Sequence, residues 1–457
     1  MNIEITITDR VRLRDGFATV SVGVQDLGIY EVLDLSFDIL HEAFGEPDPL
    51  ALDLLLIGGI VYVLDKAVPR RAAEDFWTRE FTVEFPVSIP HRWASAGRHL
   101  ERALTFLTGD EWAVSFGRRP ECLFVPVRTK RRPTPALAAE AVSLFSGGLD
   151  SLAGTLDHLA GNTTATLMLL GHHDATLPAG DQSRLWQLMD GTSYQGRTDL
   201  RRVRIRPLPP RLSRSDQHVQ PARRGRESTL RSRSFVFLAL GLYAARALGD
   251  RTPLLVPENG FIAINIPLTP ARIGTCSTRT THPYYLDAVR DMTTALGFNN
   301  AITNPFADKT KGEVLQTSRD RPTLLQLGGQ TVSCSHPSRR ATWRRRSARN
   351  CGYCVPCLIR RASLHLVGRD DGSDYGLDVF AGELDLEASV AADLRALLDC
   401  LDQVHTREAI EDRVAMAGSL NEGFATAVGV VTRGLDELRT LIRAKGNIEL
   451  QRRAGIW

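Results

Sequence analysis

The sequence predicts an α/β protein: a parallel sheet with helices on both faces, preceded by an α+β region and followed by a helical extension. Three observations predict it. Short unbroken apolar runs beginning at Ala141, Thr166 and Pro253 alternate with helical stretches, as strands buried on both faces of a parallel sheet do. Ahead of them, segments of period two mix with segments of helical period. Behind them, apolar residues recur at spacings of three and four. With 457 residues, 43% of them apolar and 24% charged, the chain has ordinary globular composition and room for two to four domains at about 100–200 residues each.

Residues 1–125 are expected to form an α+β domain of their own. IEITIT (3–8), FATVSVGV (17–24) and REFTVEFPVSI (79–89) read as strands, and 53–66 and 95–107 as helices. Residues 126–139 read as a linker, because PVRTKRRPTP (126–135) carries three prolines and four cations without periodicity. The next domain spans 140–368. AVSLF from Ala141 is its first strand, SLAGTLDHLA from Ser151 the helix after it, TLMLLG from Thr166 the second strand, 234–248 a further helix and PLLVPENG from Pro253 a further strand. Residues 207–227, rich in Pro, Arg and Ser, read as a mobile loop or lid. Residues 369–457 read as helical, with a cap over 377–442. No internal repeat is evident.

The longest apolar run, ALDLLLIGGIVYVL (51–64), is shorter than the roughly 20 residues that span a bilayer and carries Asp53, so it reads as a buried helix or strand. The N-terminal stretch alternates apolar and polar residues without a basic and then apolar leader, which predicts a cytoplasmic protein with no membrane association. Fifty-six basic against 53 acidic residues give a net charge of +3, too little for a protein that seeks polyanions with its whole surface. Only five of the cations are lysines, Lys66, Lys130, Lys309, Lys311 and Lys445. Arginine is the default cation here, and its clusters carry less information than usual.

The sharpest motif is LFSGGLDS (144–151), directly after a strand and directly before a helix. Two consecutive glycines, Gly147 and Gly148, let the backbone turn tightly and point successive N–H groups inward, and the helix N-terminus adds the positive end of its dipole. Ser146 and Ser151 add hydroxyl donors for phosphate oxygens. Asp150, a carboxylate beside a polyphosphate, makes sense as a ligand or orienter of Mg²⁺. The alternative is a plain Gly-Gly turn with an Asp/Ser helix cap. Neither the GxxxxGK[ST] loop nor the GxGxxG fingerprint is present.

Cys334, Cys351, Cys354 and Cys357 form C-x16-C-x2-C-x2-C. Three thiolates on a tight turn entering a helix and a fourth from a loop suit the tetrahedral geometry of a structural zinc site. Seven cysteines in all is an odd number, and in a reducing compartment the cluster argues for metal rather than disulfides. A redox or sulfur-carrying CxxC is the rival. Cys122, Cys276 and Cys400 look solitary, and Cys276, Ser143 and the paired His172 and His173 receive no catalytic role, although His173 fits the exit of the second strand.

SGGLDS resembles the signature of the PP-loop ATP pyrophosphatases, of the adenine nucleotide alpha hydrolase-like fold. With the cysteine cluster, the resemblance narrows to the 7-cyano-7-deazaguanine synthase (QueC) family over roughly 141–366. RSFVFLALGLYAARALG from Arg233 is similar to that family's Arg-led helix, PENG carries an Asn after a strand, and DKTKGEVL from Asp308 is similar to its Lys-Thr-Lys segment. The resemblance implies ATP, Mg²⁺ and Zn²⁺ as cofactors, with Arg233 and Lys311 touching phosphates or the adenylate. It implies adenylation of the carboxylate of a 7-deazaguanine, release of AMP and pyrophosphate, and capture by an amine. The family's acidic substrate segment corresponds here to 260–289, where Asp287 is the only acid. The extra length on either side looks more like the QueC-like proteins of bacterial Qat anti-phage systems, which implies a protein partner from the same system, whose amine could replace ammonia.

A second class stays open from the residues alone: a zinc-containing tRNA-modifying PP-loop enzyme or an Arg-rich nucleic-acid binder. Residues 201–233 hold eleven arginines against two acids, and 339–349 six more. Only Trp343 lies among them, whereas base stacking wants several rings.

Overall fold

The computed structural model describes residues 1, 3–8, 18–120, 135–174, 176–209, 227, 231–269, 279–420 and 422–456. The described residues form ten strands: β1 (Ile3–Thr8), β2 (Thr19–Val24), β3 (Ile29–Leu35), β4 (Glu80–Val87), β5 (Glu111–Arg118), β6 (Ala141–Leu144), β7 (Leu167–His173), β8 (Thr198–Leu208), β9 (Leu254–Leu255) and β10 (Ile302–Thr303). Eight of them make one mixed sheet in the order β1-β2-β3-β8-β7-β6-β9-β10, and β4 and β5 pair separately in parallel. From β8 to β10 all pairings are parallel, with helices between consecutive strands. These five strands are the parallel sheet the apolar runs predict. β9 and β10 are short, and β6 to β8 supply most of the ladder.

The antiparallel half comes from the N-terminal region, so the sheet runs across the boundary expected near residue 125. β3 pairs antiparallel with β8, Val32 opposite Leu208 and Leu35 opposite Ile205, so β1 to β3 continue the same sheet. The run 51–64 is the middle of the helix Pro49–Ala67, in which every residue from Ala51 to Asp65 is buried, with Asp53 and Asp65 paired to Arg119 and Arg79. One face packs on β3 and β8 and another on the helix Arg233–Leu248. A single apolar core thus contains Leu33, Ile57, Trp93, Val142, Leu170, Val236 and Tyr285, on both sides of the expected boundary. The physical reason is hydrophobic demand: a helix with no polar face cannot be covered by three strands alone. The linker at 126–134 and most of the basic segment 207–227 lie outside the described residues, as do Cys122 and Cys276.

The expected boundary near residue 369 also divides a core. Cys351, Cys354 and Cys357 are buried together with Leu394, Leu397, Leu438 and Leu441 from the helices Ala392–Gln403 and Phe424–Lys445. The C-terminal helices predicted from three- and four-residue spacing are present, and they bury their apolar face against the cysteine-bearing helix Val355–Leu366. No helix among the described residues is long and apolar enough to cross a membrane.

Topology fixes where a ligand can enter. The chain runs from β6 to β7 to β8 in one direction across the sheet and then returns to lay β9 on the other side of β6. Loops leaving β6 and β9 therefore diverge, and in open α/β sheets the crevice outside the carboxyl ends of such strands is the binding position. LFSGGLDS leaves β6 and PENG leaves β9.

Candidate active site

The loop after β6 is held from several sides. Phe145 N–H donates to the Leu170 carbonyl of β7 at 2.7 Å, and Gly147 adopts a positive φ of 84°, a conformation that glycine takes without steric cost. Gly148 N–H donates to Ser146 Oγ at 3.3 Å, and Ser151 Oγ donates to the Gly148 carbonyl at 2.9 Å. The helix Leu149–Gly161 starts there, so its unpaired N–H groups face the turn. Ser146, Gly147, Gly148 and Ser151 thus form a compact turn with the hydroxyls of both serines 3.4 Å apart.

Asp150 is 5% exposed and is the point on which the site converges. Its Oδ2 accepts from Lys311 Nζ at 2.7 Å and from Asn259 Nδ2 at 2.8 Å, so three segments distant in sequence meet across the β6/β9 crevice. Lys311 opens the helix Lys311–Thr317, whose start is fixed by a complete capping box between Thr310 and Glu313. Asn259 uses both ends of its amide, since its Oδ1 accepts from Ile262 N–H at 3.1 Å. Glu258 stands beside Asp150 with its carboxyl pushed well up, by burial first and then by the Asp150 charge. Burial pushes Asp150 up as well, but the Lys311 charge, the Glu258 proton and the bonds from Lys311 and Asn259 outweigh it and hold Asp150 low.

Asp150 and Glu258 could together hold a divalent cation. Asp150 Oδ1 is buried with no hydrogen-bond partner among the described residues, and Glu258 is a second oxygen donor across the switch point. Mg²⁺ is commonly held by one or two carboxylates together with waters and phosphate oxygens. Sequence reasoning missed Glu258. Its signal was the position beside Asn259 in PENG, directly after a strand.

Arg233 is placed elsewhere on the same edge of the sheet, at the end of β7. It donates from Nε to His172 Nδ1 at 3.2 Å and from Nη2 to the His172 carbonyl at 3.2 Å. His172 in turn donates from Nε2 to the Ile205 carbonyl at 2.9 Å. Burial, reinforced by the Arg233 charge, pushes the His172 imidazole down to about 3, so the ring is neutral and its Nδ1 is free to accept. Tyr62, from the N-terminal helix, stacks edge-on against His172 at 5.6 Å between centroids and donates to Asp174 at 2.8 Å. Ser232, the residue before Arg233, donates to Asp65 Oδ2 at 2.6 Å, and Asp65 pairs with the buried Arg79. Lys311 and Asp150 are thus in direct contact, while Arg233 is carried by a separate network.

Cys334, Cys351, Cys354 and Cys357 meet as the sequence predicts, with all four Sγ atoms within 4.8 Å of one another. Cys351 and Cys357 Sγ are 3.7 Å apart, matching the edge of about 3.75 Å that a tetrahedron with 2.3 Å zinc–sulfur bonds requires. Backbone N–H groups of Cys354 and His336 donate to Cys351 and Cys334 sulfurs at 3.3 and 3.2 Å, the neutralising contacts that thiolates need. The cluster could hold a metal such as zinc. It sits two residues from a contact with the Gly-Gly turn: Val332 N–H donates to the Gly147 carbonyl at 2.9 Å.

Several arginines of the basic runs pair with acids elsewhere in the fold. Arg204 and Arg206 pair with Asp34, Arg340 and Arg349 with Asp181, and Arg345 with Glu383. No protein-family model matches the chain, and no curated protein matches it either.

Proposed function

We propose that this chain is an ATP-dependent adenylating enzyme of the PP-loop type that acts on the carboxylate of a 7-deazaguanine and passes the acyl group to an amine. The observation that carries the reading is the Asp150 carboxylate, held by Lys311 and Asn259 at the start of a helix that follows a Ser-Gly-Gly turn. A carboxylate oxygen of the substrate attacks the α-phosphorus of ATP and pyrophosphate leaves. The amine then attacks the acyl carbon, loses a proton and expels AMP.

The residues divide this work. The turn at Ser146, Gly147 and Gly148, with Ser151, presents N–H and O–H donors to the departing pyrophosphate, where preorganised donors are worth most. Lys311 adds a positive charge held in place by burial. Asp150 and Glu258 would hold Mg²⁺, which would supply charge neutralisation on the phosphates. Arg233, fixed by neutral His172, offers a second cation to phosphate or adenylate. Zinc at the four cysteines is structural in this reading. The wider setting, an anti-phage system that supplies a partner protein, follows from the resemblance in length and motif order.

Incubation of the protein with Mg²⁺, ATP and 7-carboxy-7-deazaguanine tests the reaction, with ammonia and candidate partner proteins as acceptors. Release of AMP and pyrophosphate that depends on the deazaguanine and is lost in Asp150→Ala is the expected result. A deazapurine adduct on a co-expressed partner, seen by intact mass, would identify the acceptor as protein. No AMP with any acceptor overturns the reading.

A further inference from the structure

The helix Phe424–Lys445 packs against both short helices whose first residues hold Asp150, the one that Asn259 caps and the one that Lys311 opens. Its contacts come from successive turns on one face. At Gly434 the approach is so close that a Cβ would lie 2.5 Å from Cγ of Phe261, two residues after Asn259. One residue earlier, Arg433 Nε donates to Glu313 Oε1 at 2.5 Å and its Nη2 to the Asp308 carbonyl at 2.9 Å. One turn later, Glu437 accepts from the Thr310 hydroxyl and from Gly312 N–H at 3.3 Å, one residue either side of Lys311.

Glu437 is 8% exposed, and Thr310 and Lys311 beside it are 0% and 3% exposed. Burying a carboxylate is costly unless it is hydrogen-bonded. Helix initiation does not require it, because the capping box of Thr310 and Glu313 is already complete without Glu437. What the extra carboxylate adds is a rigid tie between the start of the Lys311 helix and the C-terminal helix.

We propose that Glu437 is a positioning residue for Lys311, and that the helix Phe424–Lys445 sets the spacing of Lys311, Asn259 and Asp150. The C-terminal region is then part of the frame of the site rather than a separate binding module. The kinetic half of the test rests on the adenylation reading, whereas the geometric half does not.

Because the chain has five lysines, full-length protein carrying ¹³Cε-lysine gives a spectrum in which Lys311→Arg identifies the Lys311 signal. Glu437→Asp withdraws the carboxylate by one methylene and keeps its charge, Glu437→Gln keeps its length and loses the charge, and Asp436→Asn changes the exposed neighbour. Melting curves establish that each variant is folded. The expected result is a displaced Lys311 signal in Glu437→Asp with kcat/KM for AMP formation lowered roughly tenfold or more, near-wild-type values in Glu437→Gln, and no change in Asp436→Asn. A Lys311 signal in Glu437→Asp that superimposes on the wild type overturns the proposal, as does Glu437→Gln being equally disruptive. If the signal moves as expected while no form makes AMP, the positioning role stands and the adenylation reading fails.

Discussion

Glu258 and Glu437 are carboxyl groups pushed up by burial, and both feel the charge of Lys311. Glu437 is raised to about 7, by burial first; the Glu313 charge adds to the effect, while the Thr310 hydroxyl, the Gly312 N–H and Lys311 oppose it. The consequence for stability has a definite sign. A group whose folded pKa lies above its unfolded value binds more protons in the native state, so its contribution is complete below the unfolded pKa and is lost as pH rises through the folded one. For Glu437 the window runs from the ordinary glutamate value of 4.5 to about 7. Glu437→Gln removes this proton linkage and leaves the others. Its unfolding free energy relative to wild type should therefore increase with pH across that window, by at most about 1.4 kcal/mol per pH unit, and level off above it. Urea melts of both proteins at several pH values measure the difference, and a flat difference would show that Glu437 titrates as an ordinary carboxylate. Asp150 behaves oppositely: held low, it contributes above its unfolded pKa and loses that contribution in acid.

Among elements, the segment from Thr331 to Cys334 couples the two motifs that stand out in the sequence. Val332 holds Gly147, Ser333 N–H donates to Asn350 Oδ1 at 2.9 Å, and Asn350 Nδ2 returns to the Thr331 carbonyl at 3.1 Å, directly before Cys351. Arg360, on the helix after the cysteines, ties the Thr331 hydroxyl and the Gly328 carbonyl at 2.5 and 2.7 Å. Metal removal should therefore be felt at the loop as well as in the melt. If the chain binds zinc and ATP as proposed, a strong zinc chelator under reducing conditions is expected to lower Tm and weaken ATP binding together, both restored by Zn²⁺. A chelated protein that melts lower but binds ATP unchanged would separate the two motifs. The elements that were legible in advance are those whose signal is local. β6 and the helix after it follow from an apolar run and a Gly-Gly turn, and the four cysteines follow from their spacing. β8 was hidden because its inward Val203 and Ile205 alternate with arginines, so the stretch read as basic rather than as a strand. Glu437 had no local signal at all: an acid in an amphipathic helix reads as a solvated face until the partner helix is known.

At the scale of the whole molecule, the decisive fact is that the sheet and its core cross the boundary drawn from composition. Composition shifts mark where the pattern changes, but a shared core depends on which apolar faces find each other, and pairing of β3 with β8 spans more than 160 residues of sequence. The helix Pro49–Ala67 shows the cost of separation. Leu52, Leu54, Leu55, Leu56, Ile57, Ile60, Val61, Tyr62, Val63 and Leu64 on it are each at most 3% exposed, and each fully buried side chain of this size contributes about 1.5–3 kcal/mol. A domain has only about 5–15 kcal/mol of net stability. A fragment spanning 140–368 would lose the cover that this helix gives to the helix Arg233–Leu248, the β3 edge of β8, and the C-terminal helices that bury the cysteine cluster. It should show no cooperative thermal transition and should bind a hydrophobic dye, whereas the full chain should melt cooperatively. Supplying residues 1–120 and 369–457 as separate chains should not restore it fully, because the ends must then be brought together against association entropy. A 140–368 fragment that melts cooperatively would mean that the flanking regions are docked onto a self-sufficient domain, and the roles assigned to Tyr62, Asp65 and Glu437 would have to be read as contacts made after that domain has folded.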